Sequence, residues 1–342
     1  MPYLRHIHIH DSTLRDGNHA IKQAIDGDTV SIHCDMANDA NLQSVEVGHG
    51  NGLGASSYHA GFAELLDGES IDIARKILNK PKLVTQVMPG CALYDRDIVP
   101  AIEKGVDIFR VGVHCTEADL TKRFIKNITL NGRVAHGALM MSHMATIDQL
   151  LIEASKIYDY GAEAVCIYDS AGVYHQTRVE AVVTALKKEF MMKVGFHGHN
   201  NLGLAIANSL TAVECGADII DATICGFGAG AGNTQLEVLV TLLERRNYMT
   251  GIDIPKLYDL AKHASATYAK TKPFPSVMSI ATAINGLFSG FAPHILKAAS
   301  IYSVDPYDLM RRLGERGLVG GQEDLIYATA SEMSASNEKK NN

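Results

Sequence analysis

Lys193-Val194-Gly195-Phe196-His197-Gly198-His199-Asn200-Asn201-Leu202 is the stretch on which the reading of the fold turns. Its apolar start and short length predict a β-strand over Lys193–His199, and a helical pattern follows over Leu202–Cys215. Gly216 then stands where a left-handed helix cap requires no Cβ. The unit recurs along the chain. Strands are expected at Ile7–Asp11, Ser44–Gly48, Lys82–Met88, Ile108–Val113, Val134–Met140, Ala164–Asp169, Lys193–His199 and Ile219–Thr223. Helical patterns separate them, among them Asp28–Ala40, Ile71–Leu78, Asp95–Lys104, Ile147–Tyr160 and Gln176–Glu189, and Gly105 and Gly161 close two of these.

Eight strands in strict alternation with helices, over roughly 230 residues, predict a (β/α)8 TIM barrel rather than a smaller sheet. A doubly wound open sheet is the alternative. Polar residues argue against it, because they gather just past the strand ends: Arg15, Asp16, His49, Pro89, His114, His143, Asp169, His197, His199 and the loop Gly226–Asn233. A barrel collects those ends into one ring, whereas an open sheet spreads them along an edge. After Arg246 the pattern changes to helices alone, over Asp253–His263, Ser276–Leu287, His294–Ser300 and Pro306–Leu313. The expected organisation is a catalytic barrel over 1–263, a C-terminal helical domain over 264–330 and a disordered polar tail over 331–342.

Composition narrows the function. With 31 basic against 38 acidic residues, a net charge of −7 and no Lys/Arg run, the chain lacks the basic footprint of nucleic-acid or membrane-surface binding. The six cysteines are scattered without a C-x-x-C pair, which suits a reducing compartment without disulfides. Met1-Pro2-Tyr3-Leu4-Arg5 shows no signal-peptide run and no stretch reaches transmembrane length, so a cytoplasmic location is expected.

His197 and His199 lie two apart on a strand, so both rings project from the same face at its C-terminal mouth. Asp16 sits in the loop after the first strand, within Asp11-Ser12-Thr13-Leu14-Arg15-Asp16-Gly17-Asn18-His19. One carboxylate and two imidazoles form a ligand set for a divalent metal; Mn²⁺ suits it, and Co²⁺, Zn²⁺ or Mg²⁺ are the alternatives. An H-x-H pair alone is equally a polar pair at a barrel rim, and the Arg-Asp-Gly loop at the matching strand end tips the balance. Gly226–Asn233 could nest an anion on backbone N–H groups, although tight turns need glycine too. His6, His8 and His10 line one side of the first strand but begin deep in it, and are read as structural. Met140-Met141-Ser142-His143-Met144 is read as core and rim packing.

Seven segments together carry a resemblance. D-S-T-L-R-D-G-N-H-A from Asp11, E-V-G-H-G from Glu46, H-C-T-E-A-D from His114 and M-M-S-H-M from Met140 are four of them; Y-D-S-A-G from Tyr168, G-F-H-G-H-N-N-L from Gly195 and G-A-G-A-G-N from Gly228 complete the set, and V-G-G-Q-E-D from Val319 extends it. In order and over nearly the whole chain, they resemble the 4-hydroxy-2-oxovalerate aldolase family. The wider superfamily of 3-hydroxy-3-methylglutaryl-CoA lyase and isopropylmalate synthase shares mainly the R-D-G and H-x-H elements.

The resemblance implies retro-aldol cleavage of 4-hydroxy-2-oxoacids to pyruvate and an aldehyde, with Mn²⁺ preferred. Asp16, His197 and His199 match its metal ligands, Arg15 its enolate-stabilising residue and His19 its base; Arg15, Ser170 and His197 match substrate contacts. It also implies that the helical domain docks an acylating acetaldehyde dehydrogenase, and an oligomer is expected, either a heterotetramer of two aldolase and two dehydrogenase subunits or a homodimer. Two positions depart from the pattern. Phe288 stands where the family carries a tyrosine, and Gln86-Val87-Met88 replaces a leucine-rich run. Phe288 and Met88 are therefore expected on the active-site wall, where they bear on C4 stereochemistry and aldehyde size. A Claisen-type acyl-CoA condensing enzyme or lyase of the same superfamily is the alternative reading, because it shares the metal shell.

Overall fold

The computed structural model describes residues 5–58 and 60–341, with side chains described as far as residue 336. Met1–Leu4, part of the segment read for a leader, and Asn342 lie outside the described residues. Eight parallel strands close on themselves in sequence order: β1 (His8–Asp11), β2 (Ser44–Glu46), β3 (Lys82–Val87), β4 (Ile108–His114), β5 (Val134–Met140), β6 (Ala164–Asp169), β7 (Lys193–Gly198) and β8 (Ile219–Ala222). β8 pairs with β1 through His8 opposite Ile219, and this closure excludes the open sheet. Gly105, Gly161 and Gly216 all have positive φ at the ends of helices, as their positions required.

The pleat sorts the strands' side chains. Alternate residues such as Val194 and Phe196 on β7, Val165 and Ile167 on β6 and Phe109 and Val111 on β4 join the large apolar core. The residues between them face the barrel interior, which here is charged and aromatic rather than filled by branched aliphatics. Arg110 on β4 reaches Asp221 on β8 at 2.6 Å. Those strands are not neighbours, so this pair spans the interior.

The helical segment has its own core. Leu287, Phe291, Ile295, Leu309, Leu313, Ile326 and Met333 cluster there, from the helices Val277–Ile284, Ala292–Tyr302, Pro306–Glu315 and Glu323–Asn341 and their links. Ser276 and Asp305 cap two of these helices by accepting from Ser279 N and Asp308 N.

Two of the expected boundaries fall inside helices. The boundary expected at 263/264 falls inside the helix Ile254–Ala266, which buries Leu257, Leu260 and Ala264 in the barrel's core; Ala269 still belongs to that core. Of the segment expected to be a disordered tail, residues 331–341 continue the helix Glu323–Asn341, and Asn342 lies outside the described residues. Met333 finds an apolar partner surface in the second core, and burial there outweighs the polar composition that suggested disorder. Among the described residues, no helix is long and apolar enough to cross a membrane, and all six cysteines are free thiols.

Candidate active site

The chain leaves β1 and turns at once into a single helical turn, Thr13–Asp16, that is wholly buried. Asp11 secures this turn. Its carboxylate accepts from Thr13 N at 2.9 Å and from the ring of His33 at 2.7 Å, and His33 contacts Tyr268 at 2.7 Å. Arg15 is thereby presented inward with its donors distributed. Nε donates to Glu46 at 2.8 Å, while Nη1 donates to Asp16 at 2.8 Å and to the Gly50 carbonyl at 3.2 Å. Nη2 is buried and has no protein partner.

β7 supplies the imidazoles. The register places His197 between Tyr168 on β6 and Asp221 on β8. Tyr168 stacks on its ring, with centroids 4.4 Å apart and planes at 17°, and Asp221 accepts from Nδ1 at 3.0 Å. His199 donates Nδ1–H to the Asp169 carbonyl at 2.9 Å. With both Nδ1 atoms engaged, each ring offers its Nε2 lone pair, the arrangement typical of metal-ligating histidines. One ligand atom from each of Asp16, His197 and His199 lies within 4.8 Å of the others. His197 Nε2 is buried without a hydrogen-bond partner and 3.5 Å from an Asp16 oxygen. The donor set and that orphaned nitrogen fit a divalent cation.

Electrostatics agree. Burial disfavours charge on Asp16, yet Arg15 and the two imidazoles hold its carboxyl well below the usual carboxylate range. Burial likewise opposes Glu46, which Arg15 holds down at about 2. Burial takes His199 down to about 4, aided by neighbouring His197, so its ring is neutral at pH 7. Burial also lowers His19 to about 4, against the pull of Asp16.

Arg15, Asp16, His19, Met88, Ser170, His199 and Phe288 border one cavity at the C-terminal mouth of the barrel. His197 is buried in the same cluster and is not among the residues that border the cavity. Ser170 Oγ accepts from Met141 N at 2.9 Å, which leaves its own hydrogen free. Phe288 stands edge-on to His199 with centroids 6.4 Å apart, so the helical segment contributes directly to the wall.

His19 is held by a residue the sequence reading passed over. Gln23 is buried; its amide oxygen accepts from Gly50 N at 2.8 Å and its nitrogen points at His19 Nδ1 at 3.3 Å. That orientation leaves the basic lone pair of neutral His19 on Nδ1. Glu46, Arg110, Tyr168 and Asp221 were also missed as site residues. A signal existed for two of them: Arg110 and Asp221 are charges inside otherwise apolar strands, which seldom occur without a partner.

Other polar strand ends turn elsewhere. His49 contacts the Gly61 carbonyl at 3.1 Å, His114 contacts Thr116 at 2.8 Å, and His143 donates to the Gly286 carbonyl at 3.0 Å, tying the barrel to the helical segment. His8 and His10 share the Ser44 hydroxyl, and His6 contacts Gln43, a structural arrangement as read. In the glycine loop Ala229 borders the cavity. A Cβ on Gly232 would come within 2.1 Å of the Gly226 carbonyl, so backbone packing requires that glycine. Asn233, paired through its backbone with His199, has a buried amide without a partner.

A closed parallel barrel with a buried carboxylate–imidazole cluster at its C-terminal mouth, able to hold a metal ion, defines a (β/α)8 enzyme scaffold. Residues 6–263 match the HMGL-like family and residues 273–335 match the DmpG-like communication domain. The 4-hydroxy-2-oxovalerate aldolase of Pectobacterium atrosepticum is 48% identical over 328 residues, covering 96% of each chain. That of Spirochaeta aurantia is 47% identical over 325 residues, covering 95% of each. The carboxyl transferase domain of Rhizobium etli pyruvate carboxylase shares the fold, with a TM-score of 0.80 at 16% identity over 97% of this chain and 61% of that one. The chain belongs to the 4-hydroxy-2-oxovalerate aldolase family, within the HMGL-like group.

Proposed function

We propose that the protein cleaves 4-hydroxy-2-oxoacids of the 4-hydroxy-2-oxopentanoate type to pyruvate and an aldehyde such as acetaldehyde. The observation that carries this is the convergence of Asp16, His197 and His199 at a cavity bordered by Arg15, one of whose guanidinium nitrogens has no protein partner. Asp16, His197 and His199 would hold a divalent cation, Mn²⁺ first among candidates, which would supply Lewis acidity toward the substrate.

The chain's own groups do the rest. Arg15 meets the negative charge that gathers on the C2 oxygen as the C3–C4 bond breaks. His19 takes the C4 hydroxyl proton at Nδ1, directly or through a water, displacing its long contact with Gln23. Ser170 is placed to donate its free hydrogen to the substrate. Phe288 and Met88 wall the cavity where the aldehyde portion lies. Pyruvate release from 4-hydroxy-2-oxopentanoate without coenzyme A, abolished by EDTA and restored by Mn²⁺, is the expected result. A strict requirement for coenzyme A would favour the Claisen-type enzyme instead.

The Phe288 wall makes a separate prediction. Phe288→Tyr returns one hydroxyl to the cavity, and one net hydrogen bond is worth about 0.5–1.5 kcal/mol. The ratio of kcat/KM for the two C4 enantiomers should therefore change by about 3–10-fold, with Mn²⁺ affinity unaltered. Identical kinetics on both enantiomers would remove Phe288 from the substrate wall.

The helical segment carries the partner reading. Its helix Val277–Ile284 leaves Val277, Ile280 and Ile284 exposed, three apolar residues on one helical face. Together with the match to a communication domain, this supports docking of an acylating acetaldehyde dehydrogenase that takes up the aldehyde.

A further inference from the structure

We propose that Tyr168 is a further catalytic residue, whose phenol hydroxyl joins Arg15 Nη2 in a two-donor hole for the enolate oxygen. The inference rests on the aldolase reading and adds to it a chemical role for the tyrosine that opens the Y-D-S-A-G segment.

Tyr168 sits near the C-terminal end of β6 and borders the same cavity as Arg15, Ser170 and Phe288. Its ring is held by the stack on His197 at 4.4 Å and by the Arg110 guanidinium 5.4 Å from its centroid. The hydroxyl is therefore held in place, yet it is buried and makes no hydrogen bond. A buried hydroxyl without a partner is costly, and native structures rarely leave one so.

Arg15 Nη2 is in the same condition, while the other nitrogens of that guanidinium are committed to Glu46, Asp16 and Gly50. Two rigid donors at one cavity thus lack protein acceptors. The acceptor that satisfies both is an anionic oxygen brought by the substrate, and donors aimed at developing charge act without reorganising. Phe288, the other benzenoid ring on the wall, has no hydroxyl to offer.

The test is Tyr168→Phe, which deletes one oxygen and keeps the ring that supports His197. Oxalate, a planar stand-in for the enolate of pyruvate, serves as the probe. The expected results are at least a tenfold weaker oxalate Kd by calorimetry on the Mn²⁺-loaded protein, and at least a tenfold lower kcat for cleavage. Mn²⁺ affinity should stay within twofold. Oxalate binding and kcat both within twofold of the parent protein would overturn the proposal. A loss of Mn²⁺ affinity that accounts for the whole effect would also overturn it, by reducing Tyr168 to a support for His197. An inactive parent protein would count against the aldolase reading alone, because the oxalate comparison decides the role of Tyr168 independently.

Discussion

Asp16→Asn should lose bound metal and, with it, turnover. The carboxylate is the one anion among the three converging ligands, and the substitution keeps its shape while removing its charge. Outer-shell changes around a metal typically cost 10–100-fold in affinity, so loss of a ligand should cost at least about 100-fold. Calorimetric titration with Mn²⁺ and metal analysis of the purified protein measure this directly. Near-normal metal content and turnover would show that the cluster is not a metal site. The fold should persist, because Arg15 retains Glu46 and Gly50 as partners and Asp11 still secures the turn.

Arg15→Lys should leave the metal in place and remove most of the catalysis. Lysine keeps the positive charge but not the planar fork that serves Glu46, Asp16 and Gly50 while leaving Nη2 without a protein partner. Removing one donor to a developing oxyanion typically costs about 10²–10³ in kcat. The same loss is expected here, with Mn²⁺ affinity close to that of the parent. An unchanged kcat would take Arg15 out of the chemistry.

The two substitutions separate binding of the cation from use of it, and the buried charges explain why both matter. Asp16, Glu46 and Asp221 are all held below the usual carboxylate range, against two guanidiniums, Arg15 and Arg110. These three negative and two positive groups sum to −1, which works against an anionic 2-oxoacid. A divalent cation beside them would bring that sum to +1, the sign that favours such a substrate. Glu46 and Asp221 touch Arg15 and His197 rather than the cavity, so their role is to keep those two side chains aimed.

The alternation of short apolar runs with helical patterns was enough to specify a barrel, because strand and helix periodicities are local properties of the chain. Asp16, His197 and His199 were legible for the same reason. An H-x-H spacing puts two rings on one face whatever surrounds the strand, and the Arg-Asp-Gly loop lies directly after the first strand. What faces what across the interior was decided only by closure. Arg110 meets Asp221 from strands that are 111 residues apart, and Tyr168 meets His197 because the register of β6 on β7 sets them side by side.

The fate of the remaining polar strand ends was equally a tertiary matter. His49, His114 and His143 carry the same local signature as His199, yet they turn to loops or to the helical segment. Gln23 reaches His19 only because Gly50, on the next βα loop, fixes its amide. Met333 is likewise ordinary in a polar tail until a second core buries it and carries the helix onward. Sequence pattern specifies which face of an element is apolar; the pairing of buried polar groups depends on strand order, register and loop packing, which no single segment encodes.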